Sequence, residues 1–386
     1  MDIRALLGAM IDKGASDLYL TCDSKPVLRI EGFTEPFGNE VLKAGQVETL
    51  ANSLMTERQR AAFDEKLEMN LAIASERLGR FRVNVFRQRG AVAVVIRQIK
   101  TQIPTLDELG LPPILKTVVL SRRGLVLVVG ATGSGKSTTL AAMLDYRNEQ
   151  TRGHILTIED PIEFVHLHKK CIVNQREVGF DTVSFGEALR NTLRQAPDVI
   201  LIGEVRDLET MEAAITFAET GHLCLATLHS NNANQAIERV MNFFPIARHP
   251  EIFLQLSLNL RGIISQRLVP GVDGKRVAAM EILLDTPYAR DLIKKAEIDT
   301  LKDAMEKSTQ EGGQTFDQAI FQLYADGLIS EDHALANADS ANNLRIRIKN
   351  LDIIGKTARQ QRIAAALGGD NLRIEGVTPT PNFRRM

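Results

Sequence analysis

The sequence has few cysteines, almost no net charge and no long apolar run, and each of these absences removes a class of protein. Its three cysteines (Cys22, Cys171 and Cys224) stand far apart, without a C-x-x-C pair. So sparse and odd a count makes no disulfide scaffold and predicts buried free thiols in a reducing compartment. Bases number 47 and acids 48, a formal charge of -1. That balance excludes a chain that coats nucleic acid by bulk basicity, and equally an acidic disordered one. No stretch approaches the roughly 20 apolar residues needed to span a bilayer. The apolar run Leu6 to Ile11, with Asp2 and Asp12 nearby, is too short and too acidic for a secretory signal. Internal repeats and low-complexity tracts are also missing.

What is present is ordinary folded protein: 386 residues, 44% hydrophobic and 25% charged. At roughly 150 residues per domain, the length allows two or three cores. Arg4 to Ile11 has helical spacing, Asp17 to Leu20 and Val27 to Ile30 read as strands, and Gln46 to Lys66 reads as a helix with Val47, Leu50 and Leu54 on one stripe. From Gly79 the period becomes two. Phe81, Val83 and Val85 then share one face, with Arg80, Arg82 and Asn84 on the other, before a turn at Gln88-Arg89-Gly90 and a return strand Ala91 to Ile99. The expected division is a small α/β domain over 1–100, a linker with a short helix over 101–118 marked by Pro104, Pro112 and Pro113, and a larger unit over 119–285. In that unit the apolar strands Leu125 to Val129, Ile155 to Ile158, Val199 to Ile202 and Leu223 to Thr227 alternate with helices, the pattern of a parallel sheet covered on both faces. A helical subdomain over 286–350 and a flexible tail over 351–386 complete it; Gly368-Gly369 and Thr378-Pro379-Thr380-Pro381 mark the tail.

The strongest chemical signal is Gly130-Ala131-Thr132-Gly133-Ser134-Gly135-Lys136-Ser137, followed by Thr138. It fits the phosphate-binding P-loop, G-x-x-x-x-G-K-[ST], between an apolar strand and a helix. Glycines let successive N–H groups turn toward an anion, and the positive end of the helix adds to the attraction. Lys136 is placed to reach the β- and γ-phosphates of ATP, and Ser137 to put its hydroxyl on Mg²⁺. A magnesium shell also needs a carboxylate, and Glu204 at the end of Val199 to Ile202 supplies one, followed by Arg206 and Asp207. Glu159-Asp160-Pro161-Ile162-Glu163 follows another strand and offers a group to orient the attacking water; spacing does not choose between Glu159 and Glu163. His229 ends a third strand, with His222 as the competing histidine. His166 and His168 lie two apart but lack a third ligand, so an exposed strand is expected there rather than a metal site. Between Glu76 and Lys100, seven bases face one acid. A single-strand binding patch would interleave aromatics among them, whereas Phe81 shares parity with the core residues, which favours arginines that reach a nucleotide.

In this order the motifs resemble the type IV pilus retraction ATPases (the PilT/PilU family) within the secretion and pilus motor ATPases. The resemblance covers about residues 1 to 350: Ala15-Ser16-Asp17-Leu18, Arg29-Ile30-Glu31-Gly32, Gly79-Arg80-Phe81-Arg82-Val83-Asn84, the P-loop, Thr157 to Phe164, Gly203-Glu204-Val205-Arg206-Asp207, and Thr220-Gly221-His222 leading to Thr227-Leu228-His229. It implies a PAS-like N-terminal domain, a RecA-like ATPase domain and a homo-hexameric ring. It points to Glu163 as the residue that activates water, Glu204 as the Walker B acid, His229 as the histidine-box residue, and Arg82 and Arg97 as arginines that face a nucleotide. It further implies a cytoplasmic motor at the inner-membrane base of the pilus, acting on the platform protein and with no nucleic-acid partner. Where retraction motors carry A-I-R-N-L-I-R-E, this chain reads Tyr288-Ala289-Arg290-Asp291-Leu292-Ile293-Lys294-Lys295. That segment and the longer tail are similar to the PilU-type branch, which implies an accessory ATPase working with a PilT-like partner. The competing expectations are a RecA-like nucleic-acid motor, an extension or secretion ATPase, and a scaffold that binds ATP without turning it over.

Overall fold

The computed structural model describes residues 2–354 other than 31, 76, 100 and 101. The tail expected over 351–386 lies outside the described residues beyond position 354, as do the ends of the basic stretch, Glu76 and Lys100, and Glu31.

The N-terminal sheet has six strands, all antiparallel: β1 (Asp17–Leu20), β2 (Val27–Ile30), β3 (Phe33–Pro36), β4 (Glu68–Ser75), β5 (Gly79–Gln88) and β6 (Ala91–Ile99), in the order β3-β2-β1-β6-β5-β4. The period of two along β5 is the observed one: Phe81, Val83 and Val85 are fully buried and pack with Leu18, Leu28, Val94 and Ile96 against the helix Ile3–Asp12 and its neighbours. The β5–β6 turn works because Arg89 and Gly90 both take positive φ, 50° and 77°, the primed geometry that matches strand twist. The single helix expected over Gln46 to Lys66 is instead two, Ala44–Leu54 and Glu57–Lys66. Met55 is extended, and Thr56 caps the second helix with Gln59 in a reciprocal box. The T-x-x-Q signature is a helix-start signal, but the continuous apolar stripe conceals it.

After the short helix Ile114–Val119 comes the seven-stranded sheet. Its strands are β7 (Gly124–Val129), β8 (Gly153–Glu159), β9 (Cys171–Glu177), β10 (Val199–Ile202), β11 (Leu223–Leu228), β12 (Leu260–Pro270) and β13 (Arg276–Leu284), ordered β13-β12-β7-β11-β10-β8-β9. Every pairing from β12 to β9 is parallel, and only β13 runs antiparallel at the edge. β7, β10 and β11 are buried along their whole length, so apolar residues of both parities are needed: Leu125, Leu127 and Val129 enter one core layer, Val126 and Val128 the other. Helices then follow to Ile354 and enclose a smaller core of Val269, Phe316, Ile320 and Tyr324. The Arg267 guanidinium lies 3.8 Å from the centroid of the Phe316 ring and bonds Asp339 at 2.8 Å, while Lys302 reaches the other oxygen of Asp339 at 2.8 Å.

Two of the three thiols, Cys171 and Cys224, are buried as expected; Cys22, just past the end of β1, is only partly covered. Phe81 is the largest side chain of the N-terminal core with no exposure. Phe81→Ala should cost about 3–5 kcal/mol of stability, read as a lower urea midpoint, and an unchanged midpoint would contradict this placement.

Candidate active site

Because β7, β8, β10 and β11 run the same way, the loops that follow them share one edge of the sheet. There they line a cavity of about 480 Å³ that gathers Thr132, Gly133, Gly135, Lys136, Ser137 and Thr138 with Glu159, Glu163, Glu204 and His229. Gly130 and Ala131 of the same loop line the adjoining hollow beside His229. Two glycines are dictated by space as well as conformation. A Cβ on Gly130 would come within 2.5 Å of the Gln266 carbonyl, and Gly135, at φ 89°, would bring one to 2.8 Å from Gln266 Nε2. Gln266 itself accepts a bond from Thr139 Oγ1 at 2.7 Å, so β12 braces the loop from behind. The Ser134 hydroxyl is buried and has no partner among the described residues.

Lys136 Nζ donates to the carbonyls of Gly130 (2.9 Å) and Ala131 (3.0 Å). Burial lowers its pKa, and the charges of Glu204 and Glu163 oppose that shift. Glu204 is held from two sides. His229 Nε2 stands 3.0 Å from Oε1, and Arg206 meets Oε2 with Nη2 at 2.6 Å and Nε at 2.7 Å. Arg206 also faces Asp160, at 3.7 Å. The Ser137 hydroxyl and the Glu204 carboxylate are hard oxygen donors in one cavity, a set that suits a Mg²⁺ ion completing its shell with phosphate oxygens and water. No group of three or more His, Cys, Asp or Glu among the described residues could hold a metal without such help.

The two candidate acids differ sharply. Glu159 Oε1 accepts from Thr157 Oγ1 at 2.6 Å and Gln175 Nε2 at 3.1 Å. Burial, reinforced by Glu163 and Glu177, raises its pKa to about 7 against those two hydrogen bonds. Glu163 is exposed in the cavity, and among the described residues no hydrogen bond or ion pair engages its carboxylate. Of the two histidines, His229 is in the cavity and His222 is not: it precedes β11 at the opposite sheet edge, bonded to Phe217 O and Thr220.

The pair His166 and His168 forms neither a metal site nor an exposed strand. Both lie in the irregular segment that runs back along the helix Lys136–Gln150; His166 is buried in the cavity wall, and burial lowers its pKa to about 4. His168 Nδ1 accepts from Val173 N at 3.1 Å. Arg82 and Arg97 are opposite each other on β5 and β6 and are not among the residues lining this cavity of their own chain. Arg97 Nε bonds the buried Asp17 at 2.8 Å while its side chain stays 64% exposed, so the guanidinium is anchored yet reachable. Sequence reasoning missed Arg276, which reaches the cavity from the β12–β13 hairpin, and the clamping role of Arg206. Arg206 sits beside Glu204 and could have been paired with it; for Arg276 the local signal is only the Asp273-Gly274 turn that folds β13 back on β12.

Glu159 generates a pH test. Its folded pKa is raised from 4.5 to about 7, so its contribution to stability is full below pH 4.5 and is lost as pH rises through 7. Glu159→Gln keeps the Oε1 acceptor and removes that loss. It should stabilise the chain by roughly 2–3 kcal/mol at pH 8 and by almost nothing at pH 4.5, as chemical denaturation at the two pH values would read; equal effects at both would contradict the burial of this carboxylate.

The family described as "Type II/IV secretion system protein" matches residues 2–337. The chain is 53% identical over 380 residues to "Type IV pilus ATPase PilU" of Pseudomonas aeruginosa, covering 98% of each chain. It is 46% identical over 343 residues to the same organism's "Type IV pilus retractation ATPase PilT", covering 89% of this chain and 100% of that one. Among solved structures, the pilus retraction motor PilT with bound ADP superposes with a TM-score of 0.84 at 42% identity, covering 90% of this chain and 99% of that one. With a P-loop cavity at the edge of a parallel sheet and these relatives along nearly its full length, the chain belongs to the type II/IV secretion system protein family, in its type IV pilus retraction ATPase branch.

Proposed function

We propose that this chain is an ATP-hydrolysing motor for type IV pilus retraction, of the PilU type and working with a PilT-like retraction ATPase. The observation that carries the proposal is the meeting of Lys136, Ser137, Glu163, Glu204 and His229 in one cavity, in a chain 53% identical to a PilU over 98% of both lengths. Phosphoryl transfer asks mainly for positioning and charge stabilisation. The P-loop amides and Lys136 hold the phosphate chain. Ser137 and Glu204 are the residues that would hold a Mg²⁺ ion, which would supply charge neutralisation for the phosphates. Glu163, unengaged in the cavity, orients and deprotonates the attacking water, while the hydrogen-bonded Glu159 shapes the turn that carries it. His229 and Arg206 fix the Glu204 carboxylate from either side.

Arg82 and Arg97 point this reading toward an assembly. They lie outside their own chain's cavity, and in a homo-hexameric ring they would face the nucleotide of a neighbour. Such a ring would be cytoplasmic and would dock on the inner-membrane pilus platform protein. No helix among the described residues is long and apolar enough to cross a membrane.

Lys136→Ala should abolish phosphate release and leave the melting temperature near that of the unaltered chain. Glu163→Gln should lower kcat by about 10²–10⁴ while ATP still binds. Turnover at the normal rate in either variant would overturn the catalytic assignment. Stimulation by single-stranded DNA, lost with added salt, would instead make the chain a nucleic-acid motor. In the cell, deletion of the gene should leave pili in excess and twitching impaired; a bald cell would reverse the assigned direction.

A further inference from the structure

The acidic turn carrying Glu163 is not held by its own strand alone. Gln175 on β9 binds it at three points: Nε2 donates to Glu159 Oε1 at 3.1 Å and to the Phe164 carbonyl at 2.9 Å, and Oε1 accepts from His166 N at 2.8 Å. Two residues on, and so on the same face of the strand, Glu177 Oε2 accepts from Ile162 N at 3.4 Å. Glu163 thus stands between two residues, Ile162 and Phe164, each tied to a β9 side chain.

The same segment reaches the N-terminal sheet. Just after Glu177 the chain makes a closely bonded turn. The Glu177 carbonyl accepts from the amides of Phe180, Asp181 and Thr182, Asp181 Oδ2 accepts from Glu177 N at 2.9 Å, and Gly179 N donates to Thr182 O at 2.7 Å. From this turn Phe180 packs against the N-terminal core of Phe81, Val83 and their neighbours. Glu177 is only 1% exposed; burial raises its pKa, and the charges of Arg82 and Arg80 on β5 act in the opposite direction.

We infer that β9 and the turn after it are a lever between the two sheets: Gln175 and Glu177 are positioning residues that set the place of Glu163, and Phe180 makes that place depend on where the N-terminal sheet lies. The inference rests on Glu163 being the residue that acts on water. A parallel edge strand pinned to β8 along its whole length, with Glu177 opposite Glu159, transmits a shift at one end as a rigid element does. Displacement of the Phe180 anchor therefore reaches the Glu163 backbone without passing through the nucleotide contacts of the P-loop.

The test is steady-state hydrolysis by the full-length chain carrying Phe180→Ala, Glu177→Ala, or both, with Phe180→Leu and Glu177→Gln as conservative partners and Glu163→Gln as reference. Phe180→Ala and Glu177→Ala should each lower kcat about tenfold with KM for ATP within about twofold. The pair should lose less than the product of the single losses, because both act along one route. Phe180→Leu and Glu177→Gln should recover most of the rate. A normal kcat in Phe180→Ala and Phe180→Leu, with Glu163→Gln inactive, would overturn the lever and leave the catalytic assignment standing. Full activity in Glu163→Gln would overturn the assignment instead. Losses that simply multiply, or a KM that rises as kcat falls, would also overturn the lever.

Discussion

The active site depends on one constraint, the in-register parallel pairing of β7, β11, β10 and β8. Leu228 pairs with Val129, Ala226 with Ile202, and Ile202 with Ile158, so the register fixes the relative heights at which the chain leaves four neighbouring strands. The P-loop, the Glu204 loop, the acidic turn and His229 are those exits. A slip in any pairing would move a catalytic group by a strand repeat of roughly 3.3 Å, more than the tolerance of phosphoryl transfer.

Within that frame, charge is arranged in chains rather than pairs. Glu204 is shared by His229 and Arg206, and Arg206 also faces Asp160. Glu204 and Arg206 thus each have a partner on either side, which offsets part of the cost of gathering polar side chains in one cavity. Glu163 stands apart from this series and His166 lies neutral in the wall. The cavity thus has one unengaged carboxylate, and that is what separates it from the hydrogen-bonded Glu159 four residues earlier.

Much of this arrangement is legible in the amino-acid sequence. The P-loop, the buried strands and the opposite parities of Phe81 and Arg82 follow from spacing alone, because a sheet enforces a period of two and a phosphate loop enforces glycine. What is not legible there depends on partners distant in the chain. Glu159 and Glu163 are chemically alike, and what distinguishes them is burial together with hydrogen bonds to Thr157 and to Gln175 from a neighbouring strand. Arg276 enters the cavity because β13 folds back antiparallel on β12 after Asp273-Gly274, a turn signal that announces the hairpin but not the site its strand meets. The break at Met55 is the reverse case, a local signal masked by a longer apolar stripe.

The clamp of Arg267, Asp339 and Lys302 carries a mechanical consequence. It ties β12, the strand that braces the P-loop through Gln266, to the helices that follow the sheet, with the Phe316 ring packed beneath the guanidinium. Neighbouring residues of one strand thus serve both parts of the molecule: Gln266 stands behind the nucleotide loop, and Arg267 holds the helices that follow the sheet.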